Sequence, residues 1–197
     1  YFELKSWLLM ALMFGSTDIA ADESVCFGAV SNGYLRNAVQ LPTSGKNFSA
    51  YSSLGAALGR TYLHTTVRDV LLTAYAELEA TMPGTVFVYG ETGFSSGGRI
   101  RPHRTHQNGT SVDFFVPVLN KSSESIALPT SALNKFGYNI EFDADGVDDG
   151  LKIDFEAIGE HLYQLQSAAL KRGVSIGLVI IDPRFLPKLF QTRHGSH

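Results

Sequence analysis

The chain has 197 residues, 44% hydrophobic and 18% charged, with 16 Lys and Arg against 19 Asp and Glu for a net charge of -3. That length and balance fit one globular domain with a full core and exclude a disordered chain. The mildly acidic charge leaves no basic footprint, so no nucleic-acid partner is expected.

At the N-terminus, Lys5 precedes the apolar run from Trp7 to Phe14, and Ala20-Ala21 precede Asp22-Glu23. This reads as an export signal over residues 1–21, with the folded domain at 22–197. The apolar run is well short of the roughly 18 residues of a membrane span, so no stable span is expected. Cys26 is the sole cysteine; in an exported chain that points to a free thiol or to a partner outside the given sequence.

Residues 66–80 are predicted to be a helix, because Val67, Val70, Leu71, Ala74 and Leu78 share one face, with Thr66 and Asp69 as a capping pair. His64, just ahead of it, is expected at the polar surface. Pro83-Gly84 stops the helix, and 85–89 is a predicted buried strand that runs into Gly90-Glu91, where Tyr89 and Glu91 are candidates to line a cleft. Ser95-Ser-Gly97-Gly98 follows. No Gly-Lys-Ser/Thr comes after it, so it is not a phosphate loop, and its expected use is close backbone approach of an extended peptide.

The stretch from Arg101 to Asp113 carries the chemistry. It places His103, His106 and Asp113 just before an apolar run, a borderline N/O donor set that suits zinc. The gap from His106 to Asp113 is too wide for one helical face. A turn at Asn108-Gly109 would fold both onto one ion. The competing reading makes the two histidines local hydrogen-bonding loop residues and Asp113 a strand flank.

Residues 111–118 are predicted to be a strand that bends or meets an edge at Pro117. The acidic run 143–150 resembles a calcium loop only superficially, since Val147 occupies a ligand position, and an acidic turn is the preferred reading. Asp154 is expected to cap a second helix carrying Phe155, Ile158, Leu162, Leu165 and Ala169 on its core face, closed at Lys171-Arg172-Gly173. His161 on that helix is expected to be partly buried and hydrogen-bonded. Residues 174–181 are a predicted strand, stopped by Asp182-Pro183.

The block Gly97-Gly-Arg-Ile-Arg-Pro-His103-Arg-Thr-His106-Gln-Asn-Gly109-Thr-Ser-Val-Asp113 resembles the penicillin-insensitive murein endopeptidases, whose signature is an H-x-S/T-H-Q-x-G-x-x-V-D string after paired glycines. Cys26-Phe-Gly, Ser31-Asn-Gly33, Val39-Gln-Leu-Pro42, Gly45-Lys-Asn-Phe48 and Gly59-Arg-Thr-Tyr62 continue the likeness upstream. Leu128 to Phe136 and Ile181-Asp-Pro-Arg-Phe185 continue it downstream.

The resemblance implies a single α+β domain, with a mostly antiparallel central sheet flanked by helices, of the lysostaphin, D-Ala-D-Ala peptidase and hedgehog kind. It implies zinc as cofactor and cleavage of the D-alanyl–meso-diaminopimelyl cross-link of peptidoglycan in the periplasm. His106 and Asp113 fall at the first two ligand positions, and His103 at a histidine close to or on the metal. Gly97, Gly98 and Gln107 are the expected substrate contacts. The family's third ligand and proton-accepting histidine come from a late R-H-x-x-H-x-H motif. Here Arg193-His194-Gly-Ser-His197 stands near that place, so a domain lacking its C-terminal end is expected, with His194 and His197 as lesser candidates. Two other readings share this fold: a non-catalytic peptidoglycan-binding module and a D-Ala-D-Ala carboxypeptidase.

Overall fold

The computed structural model describes residues 23–137 and 139–195. The expected export signal and His197 lie outside them. Along the chain come the strands β1 (Val25–Ala29), β2 (Asn32–Arg36), β3 (Val39–Gln40) and β4 (Phe48–Ala50), then the short helix α1 (Ser53–Ala57). The strand β5 (Tyr62–Leu63) leads into the long helix α2 (Thr65–Thr81), followed by β6 (Phe87–Tyr89) and β7 (Phe114–Phe115). Next are β8 (Val118–Leu119), β9 (Ser125–Ile126), β10 (Val147–Asp148) and β11 (Leu151–Ile153). The helices α3 (Phe155–Leu170) and α4 (Leu186–Leu189) complete the order.

This is an α+β domain in which the strands pair mostly antiparallel, spread over small sheets: β1-β2, β3-β5, β4-β6-β7 and β10-β11-β8-β9. One pair, β4 with β6, is parallel. Among the described residues no helix is long and apolar enough to cross a membrane.

The core lies between the two long helices and β6. Leu71, Ala74, Tyr75 and Leu78 of α2 meet Ala157, Leu165, Ala168 and Ala169 of α3, with Phe87 and Tyr89 beneath them. Burial of such side chains contributes roughly 1.5–3 kcal/mol each for the large ones and dominates the stability of the fold. A second cluster of Ile153, Ile158, Phe185 and Leu189 fixes the far face of α3.

Helix α2 begins one residue earlier than its periodicity predicts. Its first N–H groups are met by the His64 ring, whose Nδ1 accepts from Thr66 N at 3.1 Å, and by Ser24 Oγ, which accepts from Thr65 N at 3.1 Å. Thr66 is therefore inside the first turn, and Asp69 binds Arg68 instead of closing a capping box. Helix α3 starts as expected, with Asp154 Oδ1 accepting from Ala157 N.

Three expectations are corrected. The 111–118 strand is two strands, because Pro117 has no N–H to donate and the chain bends there, its carbonyl accepting from Asp154 N. Residues 174–181 form no strand and pair with no described one, leaving Leu178 and Ile180 about four-fifths exposed at 78% and 83%. An apolar β-branched run becomes a strand only where an edge offers ladder bonds, and among the described residues none pairs with it. His161 is fully buried instead of partly so: its Nε2 has no partner among the described residues, and its ring sits 5.5, 4.9 and 4.8 Å from those of Tyr75, Phe87 and Phe114. The acidic run behaves as a turn, with Asp143 Oδ1 accepting from the backbone N–H groups of Asp145 and Val147.

Candidate metal centre

The loop that carries the histidines is folded by its own turn chemistry. Gly109 has φ +78° and passes so close to Leu35 and His64 N that a Cβ would collide with them. Its carbonyl accepts from His64 N, which ties the loop to the start of α2. The Asn108 side chain accepts from the Thr110 hydroxyl at 2.8 Å and closes the turn. Two further backbone bonds, Gly90 N to Asp113 O and Asp113 N to Glu91 O, extend the β6–β7 ladder and hold Asp113 opposite Gly90, next to Glu91.

His103, His106 and Asp113 each bring one donor atom into a group spanning no more than 4.8 Å. Asp113 bridges the two rings: its Oδ1 is 3.1 Å from His106 Nε2 and its Oδ2 is 3.3 Å from His103 Nδ1. The rings stand edge-on, 5.1 Å apart. His106 is 1% exposed and His103 19%, while Asp113 at 41% opens to solvent.

His106 takes φ +72°, a backbone conformation that costs energy for a residue with a Cβ and that recurs where function over-determines the chain. Its Nδ1 faces the Ser111 carbonyl at 3.2 Å, so Nε2 is the atom turned to the group. That Nε2 is buried and forms no well-aligned hydrogen bond despite its distance from Asp113. Burial alone would lower the His106 pKa; the pull of the Asp113 carboxylate and the carbonyls of Ser111 and Thr92 outweighs it and raises the value above the ordinary one. A buried imidazole nitrogen, aimed with two other donors at one point and left without a proper partner, is what a cation would satisfy. The residues present therefore fit a bound divalent metal.

Glu91 stands behind His103. Its Oε1 accepts from Arg60 Nε at 2.6 Å and Tyr51 OH at 2.9 Å, while Oε2 lies 3.0 Å from His103 Nε2. Arg60 also donates to the Arg101 carbonyl at 3.0 Å, which holds the approach to His103. Burial and the hydrogen bond to Glu91 push the Tyr51 pKa up to about 12, so this hydroxyl keeps its proton. A groove of about 870 Å³ opens from Glu91, His103 and Asp113 and runs along α3, with 174–181 as its outer wall.

The family model described as penicillin-insensitive murein endopeptidase matches residues 26–174. The chain belongs to that family. None of the curated proteins compared matches it. Family membership makes the chain a peptidase of the murein endopeptidase kind, and the His/Asp group lies inside the matched span.

The remaining expected residues of this murein endopeptidase family member are distributed around that group. Gly97 lies against the β1–β2 hairpin, bridged to Tyr34, where a Cβ would strike Gln107 O and Leu35 N. Gly98 N donates to Gln107 O, and nothing lies within 4 Å of where its Cβ would be. The Gln107 side chain donates to Ser31 O at 2.7 Å. His194 is drawn to α3, with Nε2 2.9 Å from Glu160 Oε2 and its ring stacked on Tyr163. His64 is the cap of α2. Cys26 is a free, exposed thiol among the described residues. Of the two cleft candidates Glu91 lines the groove, whereas Tyr89 is core, its hydroxyl donating to Pro42 O. Arg60 and Tyr51 have no local signal in the sequence, beyond Arg60 falling in the Gly59-Arg-Thr-Tyr62 stretch.

Proposed function

We propose that the chain is a zinc-dependent murein endopeptidase that hydrolyses the D-alanyl–meso-diaminopimelyl cross-link of peptidoglycan after export to the periplasm. The observation that carries this reading is the three-donor group of His103, His106 and Asp113 at the head of an open groove. An amide resists water at neutral pH because water is a poor nucleophile and the tetrahedral species is anionic. Zinc held by these three side chains, with a position left open, would supply Lewis acidity and a more acidic water.

The chain's own residues have separable tasks in this reading. His106 presents Nε2 from a dry wall, with its other nitrogen turned to the Ser111 carbonyl. Asp113 brings a charge that lowers the total charge of a cationic site and, being the most exposed of the three, borders the substrate. The groove holds the peptide extended, with Glu91, His103 and Asp113 at its head. No serine attacks the substrate, so a β-lactam has nothing to acylate.

Replacing Asp113 with Ala is expected to abolish zinc binding at equimolar metal and to lower cleavage of cross-linked muropeptide dimers by about a thousandfold or more. Chelation of the wild-type chain should do the same, with zinc restoring activity. Undiminished cleavage by the Asp113→Ala chain would end this assignment. Release of free D-Ala instead of monomers would mark a carboxypeptidase, and dimer binding without cleavage a binding module.

A further inference from the structure

We infer that Glu91 is a positioning residue for the metal site, one that sets which nitrogen of His103 binds the ion. The inference rests on the zinc reading above and deepens it. Imidazole has two nitrogens, and a ligand histidine must offer a lone pair from one while the other keeps its proton. A hydrogen-bond acceptor behind the ring decides between them.

The two histidines have acceptors on opposite sides. At His106 the acceptor is the Ser111 carbonyl, 3.2 Å from Nδ1, so Nε2 is left for the metal. At His103 the oxygen nearest Nε2 is Glu91 Oε2 at 3.0 Å, close enough to accept from it although the pair is not well aligned in this structure, and Nδ1 is the atom that faces Asp113 at 3.3 Å. The donor set is therefore mixed: Nδ1 of His103, Nε2 of His106 and a carboxylate oxygen of Asp113.

Glu91 is itself held for this task. Arg60 Nε and Tyr51 OH both donate to Oε1, which leaves Oε2, a buried atom with no well-aligned hydrogen bond, facing the ring. A carboxylate with Oε1 engaged by two donors accepts at Oε2 and cannot turn away without breaking both bonds. Arg60 adds a second restraint through the Arg101 carbonyl, two residues before His103. A glutamine would serve poorly here. Its amide has one accepting oxygen, and its NH2 would face either the Arg60 N–H or the His103 N–H, donor against donor.

The test is a long-range proton–nitrogen correlation spectrum of the zinc-loaded wild-type chain, with zinc affinity measured by chelator competition. The expected spectrum shows His103 metallated at Nδ1 and protonated at Nε2, and His106 the reverse. The Glu91→Gln chain should keep its helical circular dichroism and lose about 10–100-fold in zinc affinity. His103 metallated at Nε2, or a folded Glu91→Gln chain within twofold of wild-type affinity, would overturn the role of Glu91 alone. A wild-type chain that takes up no zinc would overturn the metal reading and this inference together. Should Glu91→Gln fail to fold, the wild-type spectrum decides by itself.

Discussion

Gly90 shows how one missing side chain sets the spacing of the site. A Cβ on it would come within 2.9 Å of Asp113 Cβ, on the segment whose N–H and C=O clamp Asp113 in register. Gly90→Ala is expected to push Asp113 off the donor group. The forecast is a loss of about 1–3 kcal/mol in urea denaturation together with weakened zinc binding; stability and affinity both at wild-type values would show the spacing to be slack. At this scale the sequence was informative where partners are local. His103, His106 and Asp113 lie within eleven residues of each other, and the Asn108-Gly109 turn that unites them is readable from residue type. Glu91 was legible as a strand-end residue and a candidate to line a cleft, not as a neighbour of His103. Its partners Arg60 and Tyr51 are 31 and 40 positions away, joined to it by tertiary contact that no spacing rule encodes.

At the scale of elements, caps carry much of the specification. Asp154 closes the N-terminus of α3 through Ala157 N, and α3 brings His161, Ile158 and Leu165 to the core and the groove. Asp154→Ala should cost about 1 kcal/mol, read as a lowered urea midpoint with an unchanged slope. The start of α2 was misplaced by one residue because its caps are unconventional. A histidine ring and a serine 41 positions upstream meet the first N–H groups, which a search for Ser/Thr/Asp at the N-cap does not find. The 174–181 run was legible as β-prone, yet β-propensity expresses fit to a neighbouring strand, and among the described residues none is paired with it.

For the whole molecule, His161 is the joint at which α3 meets α2 and the β4-β6-β7 sheet, packed against Tyr75, Phe87 and Phe114. Burial lowers its pKa to about 3, against roughly 6.5 in an unfolded chain. Between those values the unfolded chain binds a proton that the folded one refuses. Stability is therefore fully present above about pH 6.5 and falls as the pH drops toward about 3, by about 1.4 kcal/mol per pH unit from this group. His161→Phe, similar in size and without a titrating nitrogen, is expected to flatten the fall of melting temperature between about pH 6 and 4. An unchanged slope in that variant would place the acid sensitivity elsewhere.

The sequence by itself determined the two long helices and the metal-binding candidates, since these depend on periodicity or on residues a few positions apart, and its resemblance to the murein endopeptidases implied the family and the α+β class. Tertiary structure alone decided the rest: that the described strands divide into four small sheets, that His161 is buried and His194 is drawn to Glu160, and that Glu91 stands behind His103. Those outcomes depend on which surfaces meet when α2, α3 and the sheets pack. A side chain's partner across tens of residues is fixed by that packing, not by its neighbours in the chain.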